Sequence, residues 1–404
     1  MKKLFSLFVF HTVATCLCAL FVPANAQTAG APGDITVNVG PGDALSVRIR
    51  GDAALVALAQ KAFSTHGRYV VYAPSASGAN FDLTFTGVSG TQVRVDVNKG
   101  AAAVMSQTLG GTSQANALYR AADAAVRATS GLNGFFASRL AFISNRTGAD
   151  EIYVGDLFLQ NVEQLTSQRA RVLTPRWSPD GSRLLYTSFT NKVPDIYQID
   201  LVQRRWQSFV SFNGTNMGAR FSPDGSRVVM VLTANDRDGP HSEVFVSTAQ
   251  GRQPARLTRT PLDAAKSSPC FSPDGARIVF AMKPGPQLYI MPASGGAPTR
   301  IAGGFSSYCA EPDWSRAAPD KIALTVRQGR SFQIGVWDMA GGQGRIVSKV
   351  NGDAIEPCWL ADGRHVVFTF RTAGNRKLGI LDTETGKHTI ISSIYSEKGS
   401  VWGP

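Results

Sequence analysis

The chain reads as a mainly β protein, a six-bladed β-propeller closed by its C-terminal strand and preceded by a small α/β domain. Three observations predict it. A five-residue motif, Trp177-Ser178-Pro179-Asp180-Gly181, returns as Phe221-Ser222-Pro223-Asp224-Gly225 and Phe271-Ser272-Pro273-Asp274-Gly275. It persists in part as Trp314-Ser315, Trp359-Leu360-Ala361-Asp362-Gly363 and the final Trp402-Gly403-Pro404. The motif aromatics sit 44, 50, 43, 45 and 43 residues apart, a spacing that belongs to repeat architectures. Between motifs run short β-rich segments separated by turn residues.

Within a motif, Pro presets φ for a tight turn, Asp bonds its own backbone, and Gly takes a conformation that a Cβ disfavours. A β-rich run follows, as at 183–188, 227–232, 277–281 and 365–370, then a second at 195–200, 243–247 and 287–291, and a short closing strand such as 255–258. Four strands per repeat make a propeller blade. The stretch before Trp177 supplies three strands, at 140–144, 151–154 and 162–166, with no motif ahead of them, while the strand at Trp402 has no blade of its own. Joined, they complete one blade, so the ring has six and its closure removes sheet edges.

Taken in order, residues 1–26 read as a secretory signal: Lys2 and Lys3 precede an apolar run at 4–22, and Ala24-Asn25-Ala26 is a small-x-small cleavage site before Gln27. Cys16 and Cys18 lie in that run without a lipoprotein context. The second domain spans 27–135 and the propeller 136–404. Residues 27–40 form a flexible arm, in which Asp34, Ile35, Thr36, Val37, Asn38 and Val39 alternate as a strand would. A strand at 45–49 and a helix at 53–66 follow, the helix presenting Leu55, Leu58, Ala59 and Ala62 on one face. Strands are expected at 81–86, 91–98 and 101–108. A second helix starts at Ser113 as N-cap, buries Ala117, Leu118, Ala121, Ala125 and Val126, and ends at Thr129 with Gly131 just beyond.

The formal charge is +12, and the two signal lysines leave +10 for the mature chain. The arginines are scattered, and Arg183, Arg227, Arg277 and Arg364 fall at turn positions, read as solvated rather than as a nucleic-acid surface. Cys270 and Cys358 hold one slot, just before a motif aromatic, in blades two apart; with Cys309 they make an odd count, so at most one disulfide forms, and small buried residues are the favoured reading.

Catalytic patterns are lacking. His66, His241, His365 and His388 lie in separate repeats or domains without metal-ligand spacing, and there is no G-x-S-x-G elbow or phosphate loop. Glu311 and Glu356 stand three residues before Trp314 and Trp359 on neighbouring innermost strands. They read as solvated channel-wall acids or, alternatively, as hard ligands for a Ca²⁺ or Mg²⁺ in the channel. A secreted propeller hydrolase or lactonase with a channel metal is the other class of function; it requires a converging ring of acidic or histidine ligands.

The six-bladed repeat, its aromatic-Ser-Pro-Asp-Gly motifs, the segment 121–131 and the link Gly134-Phe135-Phe136 running into the first propeller strand resemble the TolB family of the Tol-Pal envelope system over residues 34–404. The resemblance implies a non-enzymatic, monomeric periplasmic scaffold with no resident cofactor and no nucleic-acid partner. Its propeller would dock a Pal-like lipoprotein and its arm a TolA-like inner-membrane protein. In the family the arm starts at the mature terminus, whereas here 27–33 intervene.

Overall fold

A computed structural model describes residues 44–403; the expected signal, its cleavage site and the arm with Asp34 to Val39 lie outside these residues. The α/β part is a five-stranded sheet with order β2-β1-β3-β4-β5. β1 (Leu45–Gly51) is next to the edge and pairs in parallel with β2 (Tyr69–Tyr72) and with the central β3 (Phe81–Ser89). β4 (Gln92–Lys99) and β5 (Ala102–Gly110) extend it antiparallel. β2 escapes sequence reading because four residues carry little alternation and its partner precedes it by a whole helix.

α1 (Ala53–Thr65) and α2 (Gln114–Ser130) pack on the sheet and on each other. On α1, Leu55, Ala59, Ala62 and Phe63 are buried, while Leu58 is only partly covered. α2 has the expected ends: Ser113 Oγ accepts the Asn116 N–H at 3.2 Å, and Gly131 turns left-handed at φ 74. Midway along α2, the carboxylate of Asp123 is buried and accepts the N–H groups of Phe136 and Ala137 at 2.7 and 3.0 Å, fixing the link into the propeller. Phe135 and Phe136 fill a core that runs without interruption from this sheet into the propeller residues Leu140, Leu360, Val367 and Ile380.

The propeller consists of six four-stranded antiparallel sheets. Blade 1 is the closure: Glu397–Trp402 is its innermost strand, followed outward by Arg139–Ser144, Glu151–Asp156 and Glu163–Gln164. Blades 2 to 6 start at innermost strands Val172–Trp177, Asn216–Phe221, Lys266–Phe271, Cys309–Trp314 and Asp353–Trp359. The closing pair, however, is one residue out of step with the expectation for Trp402. Trp177, Phe221, Phe271, Trp314 and Trp359 oppose Leu184, Val228, Ile278, Ile322 and Val366; in blade 1 the residue opposing the equivalent Leu140 is Val401. Trp402 lies one residue further on and serves the joint between blades. Its ring centroid is 6.1 Å from that of Trp177, its Nε1–H donates to Pro179 O at 2.9 Å, and it leaves so little room over Gly181 that a Cβ there would fall 2.2 Å from the indole.

Blade-to-blade joints revise the reading of the turn arginines. Arg139, Arg183, Arg227 and Arg277 each place a guanidinium 4.8 to 5.2 Å from the centroid of the next blade's motif ring, at Trp177, Phe221, Phe271 and Trp314. Each such cation–π contact stabilises by about 0.5–1 kcal/mol at a partly exposed site. Arg364 is not solvated either, since it grips the buried carboxylate of Asp382 at 2.8 Å. A second repeated device ties the third strand to the turn after the fourth. Thr166, Thr258, Ser348 and Ser392 each accept, through the hydroxyl, the N–H of a third-strand residue: Ile152, Val244, Ile334 and Leu378.

Candidate functional site

Every innermost strand carries a bulge, in which two of its residues oppose a single residue of its neighbour. The bulged residue has positive φ in all six blades: Thr174, Gly218, Ser268, Glu311, Glu356 and Lys398, from 47° to 69°. Five of the six are not glycine, a conformation that side chains reach only where surrounding structure enforces it. The bulge brings the side chains of Glu311, Glu356 and Lys398 together. Glu311 Oε2 accepts from Thr325 Oγ1 at 2.7 Å and from the Glu356 N–H at 3.1 Å. Glu356 accepts from Thr369 Oγ1 at 3.0 Å and forms an ion pair with the ammonium of Lys398. Burial, followed by the Glu356 carboxylate, pushes Glu311 above the usual range, with Lys398 opposing.

The two acids are only partly exposed: Glu356 faces a lysine of the same chain, while Glu311 is held by Thr325 and the Glu356 N–H. The sequence contained the signal. Lys398 sits in the third place before Val401, the same offset as Glu311 and Glu356 from their aromatics, but counting from Trp402 points to Gly399 instead. Lys398 holds the blade 1 place of this tier, on the far side of Glu356 from Glu311.

One residue before each of the five aromatics, and before Val401 in blade 1, a second tier surrounds a cavity of about 530 Å³: Arg176, Arg220, Cys270, Asp313, Cys358 and Ser400. The mouth is rimmed by Pro179, Pro223 and Pro273 and by the motif aromatics. Arg220 crosses two blades to pair with Asp313 Oδ1 at 2.6 Å, while Asp313 Oδ2 accepts the Trp359 N–H at 2.8 Å. That uses up the only carboxylate of this tier. Arg176 is left over: its buried Nε has no hydrogen-bond partner among the described residues, and burial with the neighbouring Arg220 lowers its pKa. A net positive charge therefore stands at the base of an aromatic mouth. Cys270, Cys309 and Cys358 are all free and buried, so no disulfide forms among them; burial pushes Cys358 up to about 12 and Cys309 to about 11.

The turn of blade 6 departs from the others and meets the α/β part. In blades 2 and 3 the motif aspartate bonds the serine of its own turn, Ser178 to Asp180 and Ser222 to Asp224, at 2.5 Å. In blade 6, Leu360-Ala361 replaces Ser-Pro, and Asp362 Oδ2 contacts His365 Nδ1 at 2.5 Å. His365 faces His66 of the α/β part, with ring centroids 4.3 Å apart, and its Nε2 accepts the Gly67 N–H at 3.1 Å. Two histidines that the sequence assigns to separate units thus meet at the seam. His241 and His388 do not join them: His241 pairs with Glu243 at 3.1 Å in blade 3, and His388 packs edge-on to Phe368.

Among the described residues, no helix is long and apolar enough to cross a membrane. The profile of the TolB beta propeller domain matches residues 126–404. Over 63 residues the chain is 41% identical to the Tol-Pal system protein TolB of Syntrophotalea carbinolica, 16% of this chain and 15% of that one. Over 181 residues it is 29% identical to the Tol-Pal system protein TolB of Bordetella pertussis, 44% of this chain and 40% of that one. The matched stretches thus span less than half the length of these curated relatives. Among solved structures, TolB from Acinetobacter baumannii superposes with a TM-score of 0.77 at 22% identity, covering 89% of this chain and 97% of that one. The propeller, its repeated motifs and the profile match together place the chain in the TolB β-propeller family.

Proposed function

We propose that the chain is a non-enzymatic periplasmic scaffold of a Tol-Pal envelope system, exported by cleavage after Ala26. Its propeller docks a Pal-like lipoprotein, and the arm at 34–39 engages a TolA-like inner-membrane protein, supporting outer-membrane integrity and constriction during division. The observation that carries the docking is Arg176. A buried guanidinium nitrogen without a partner among the described residues, at the base of a concave mouth lined by aromatics and prolines, suits an acidic loop of a partner. Propeller faces are rigid, so the partner meets a preformed site. The arm is a separate element, since an extended segment binds by pairing with a sheet edge and loses entropy on ordering.

Titration calorimetry of the mature chain against the Pal and TolA of the same organism tests this. Arg176→Gln should weaken Pal binding tenfold or more while leaving TolA binding unchanged. Removal of 27–39 should abolish TolA binding and leave Pal affinity within a few fold. Pal affinity unchanged by Arg176→Gln would move the docking site elsewhere. Loss of Pal binding on arm removal, in a folded protein, would overturn the division of labour.

A further inference from the structure

The blade 6 seam differs chemically from the other joints described. One ring nitrogen each from His66 and His365 and a carboxylate oxygen of Asp362 lie within 4.8 Å of one another. Both imidazoles are fully buried. His66 Nε2 is buried without a hydrogen-bond partner among the described residues, although the ring is packed on all sides, stacked on Phe135 and edge-on to Tyr69 and Phe136. A buried nitrogen left unpaired has a cost of about 1–3 kcal/mol, and native structures usually give such atoms a partner.

We infer that His66, His365 and Asp362 form a binding site for a divalent transition-metal ion, of which Zn²⁺ is the type, holding the α/β part to the propeller. Two imidazoles and one carboxylate are a donor set that suits zinc and its first-row neighbours rather than Ca²⁺ or Mg²⁺, which take oxygen ligands. The surroundings hold the ligands in place. Asp362 Oδ1 accepts the Arg364 and His365 N–H groups at 3.0 and 2.9 Å, leaving Oδ2 for the ion. The second carboxylate of the seam, Asp382, is already gripped by Arg364 through both oxygens and does not compete. The three ligands close in by a small movement, because zinc bonds are about 2.0–2.2 Å long. Binding through His365 Nδ1 moves its proton from the Asp362 contact to Nε2, which then faces Asp382 Oδ2 at 3.5 Å and gives up the contact from the Gly67 N–H. It also moves the His66 proton to Nδ1, giving up the loose 3.3 Å contact from the Arg68 N–H.

The turn chemistry explains why blade 6 has such a site and the regular blades do not. In blades 2 to 4 the motif serine occupies the aspartate, and the residue three after that aspartate is Arg183, Arg227 or Arg277, which reaches for the next blade's ring. Blade 6 has neither: its turn has no serine, and His365 stands where the arginine would. The metal would therefore set how firmly the α1 end is held to the ring, because His66 caps that helix and Gly67 touches Asp382 so closely that a Cβ there would fall 2.0 Å from its oxygen.

The mature chain, stripped with a chelator and titrated with Zn²⁺ and Co²⁺, tests the site. One ion per chain should bind with submicromolar affinity. The Co²⁺ spectrum should report a site of low coordination number, X-ray absorption of the unsubstituted zinc form should show two imidazole ligands, and zinc should raise the melting temperature. His66→Gln and Asp362→Asn should each weaken binding a hundredfold or more, while His388→Gln leaves it unchanged. Absence of binding at micromolar zinc, binding without imidazole ligation, or binding that survives both substitutions would overturn the assignment.

Discussion

The turns of blades 2 to 4 and the turn of blade 6 descend from one motif and have opposite outcomes. In the regular turns the aspartate is satisfied within its own turn, and the arginine within the ring. Asp224 bonds Ser222 and the Ser226 N–H and hydroxyl, and Arg227 lies over Phe271 while donating to Gly275 O at 2.9 Å. In blade 6 the serine is missing, and Asp362, Arg364 and His365 take their partners from one another, from Asp382 and from the α/β part. A repeat whose polar groups are self-sufficient is a structural joint. One whose groups are released becomes available to a second unit, and three changes, Leu360 for Ser and Ala361 for Pro in the motif and His365 for Arg just after it, separate the cases.

Three substitutions sharpen this contrast. Asp382→Asn strips the carboxylate from the buried blade 6 network and leaves Arg364 without a counter-charge, so it should cost about 3–5 kcal/mol, seen as a fall in the urea midpoint at unchanged slope. A loss below about 1 kcal/mol would place blade 6 with the exposed ion pairs. Arg227→Ala removes one staple between blades and should cost about 1 kcal/mol, with Arg227→Lys recovering part of it; equal stability of wild type and Arg227→Ala would make the stacking incidental.

Ser222→Ala should act least, and through pH. Ser222 and then Ser226 hold Asp224 at about 2, below the ordinary 3.8. A carboxylate depressed on folding stabilises above its unfolded value, and that stabilisation is lost as pH falls from about 4 towards 2. The melting temperatures of wild type and Ser222→Ala should therefore differ above pH 4 and converge near pH 2. A gap that stays constant with pH would mean that the serine acts by packing alone.

What sequence reveals and conceals follows the reach of each interaction. The blades, the ring closure and both ends of α2 are legible because turn chemistry and alternation act within a few residues, as the Ser113 cap and the Ser-Pro-Asp-Gly turns show. The arginine staples are hidden because each ring lies a whole blade downstream of its cation. The pairing of Glu356 with Lys398 is hidden by a one-residue slip, since the more conspicuous Trp402 draws the count away from Val401. The meeting of His66 with His365 has no signature at all along the chain, because it comes from the packing of two units.

Ring closure also has a consequence in time. The strand Arg139–Ser144 has its inner partner only in Glu397–Trp402, so in a chain delivered amino end first across a membrane the first propeller strand waits for a partner from the far end of the ring. Until Glu397–Trp402 has been delivered, blade 1 is an unlatched sheet whose free edge invites pairing with another molecule. A chain halted short of that strand would be the species most in need of a chaperone.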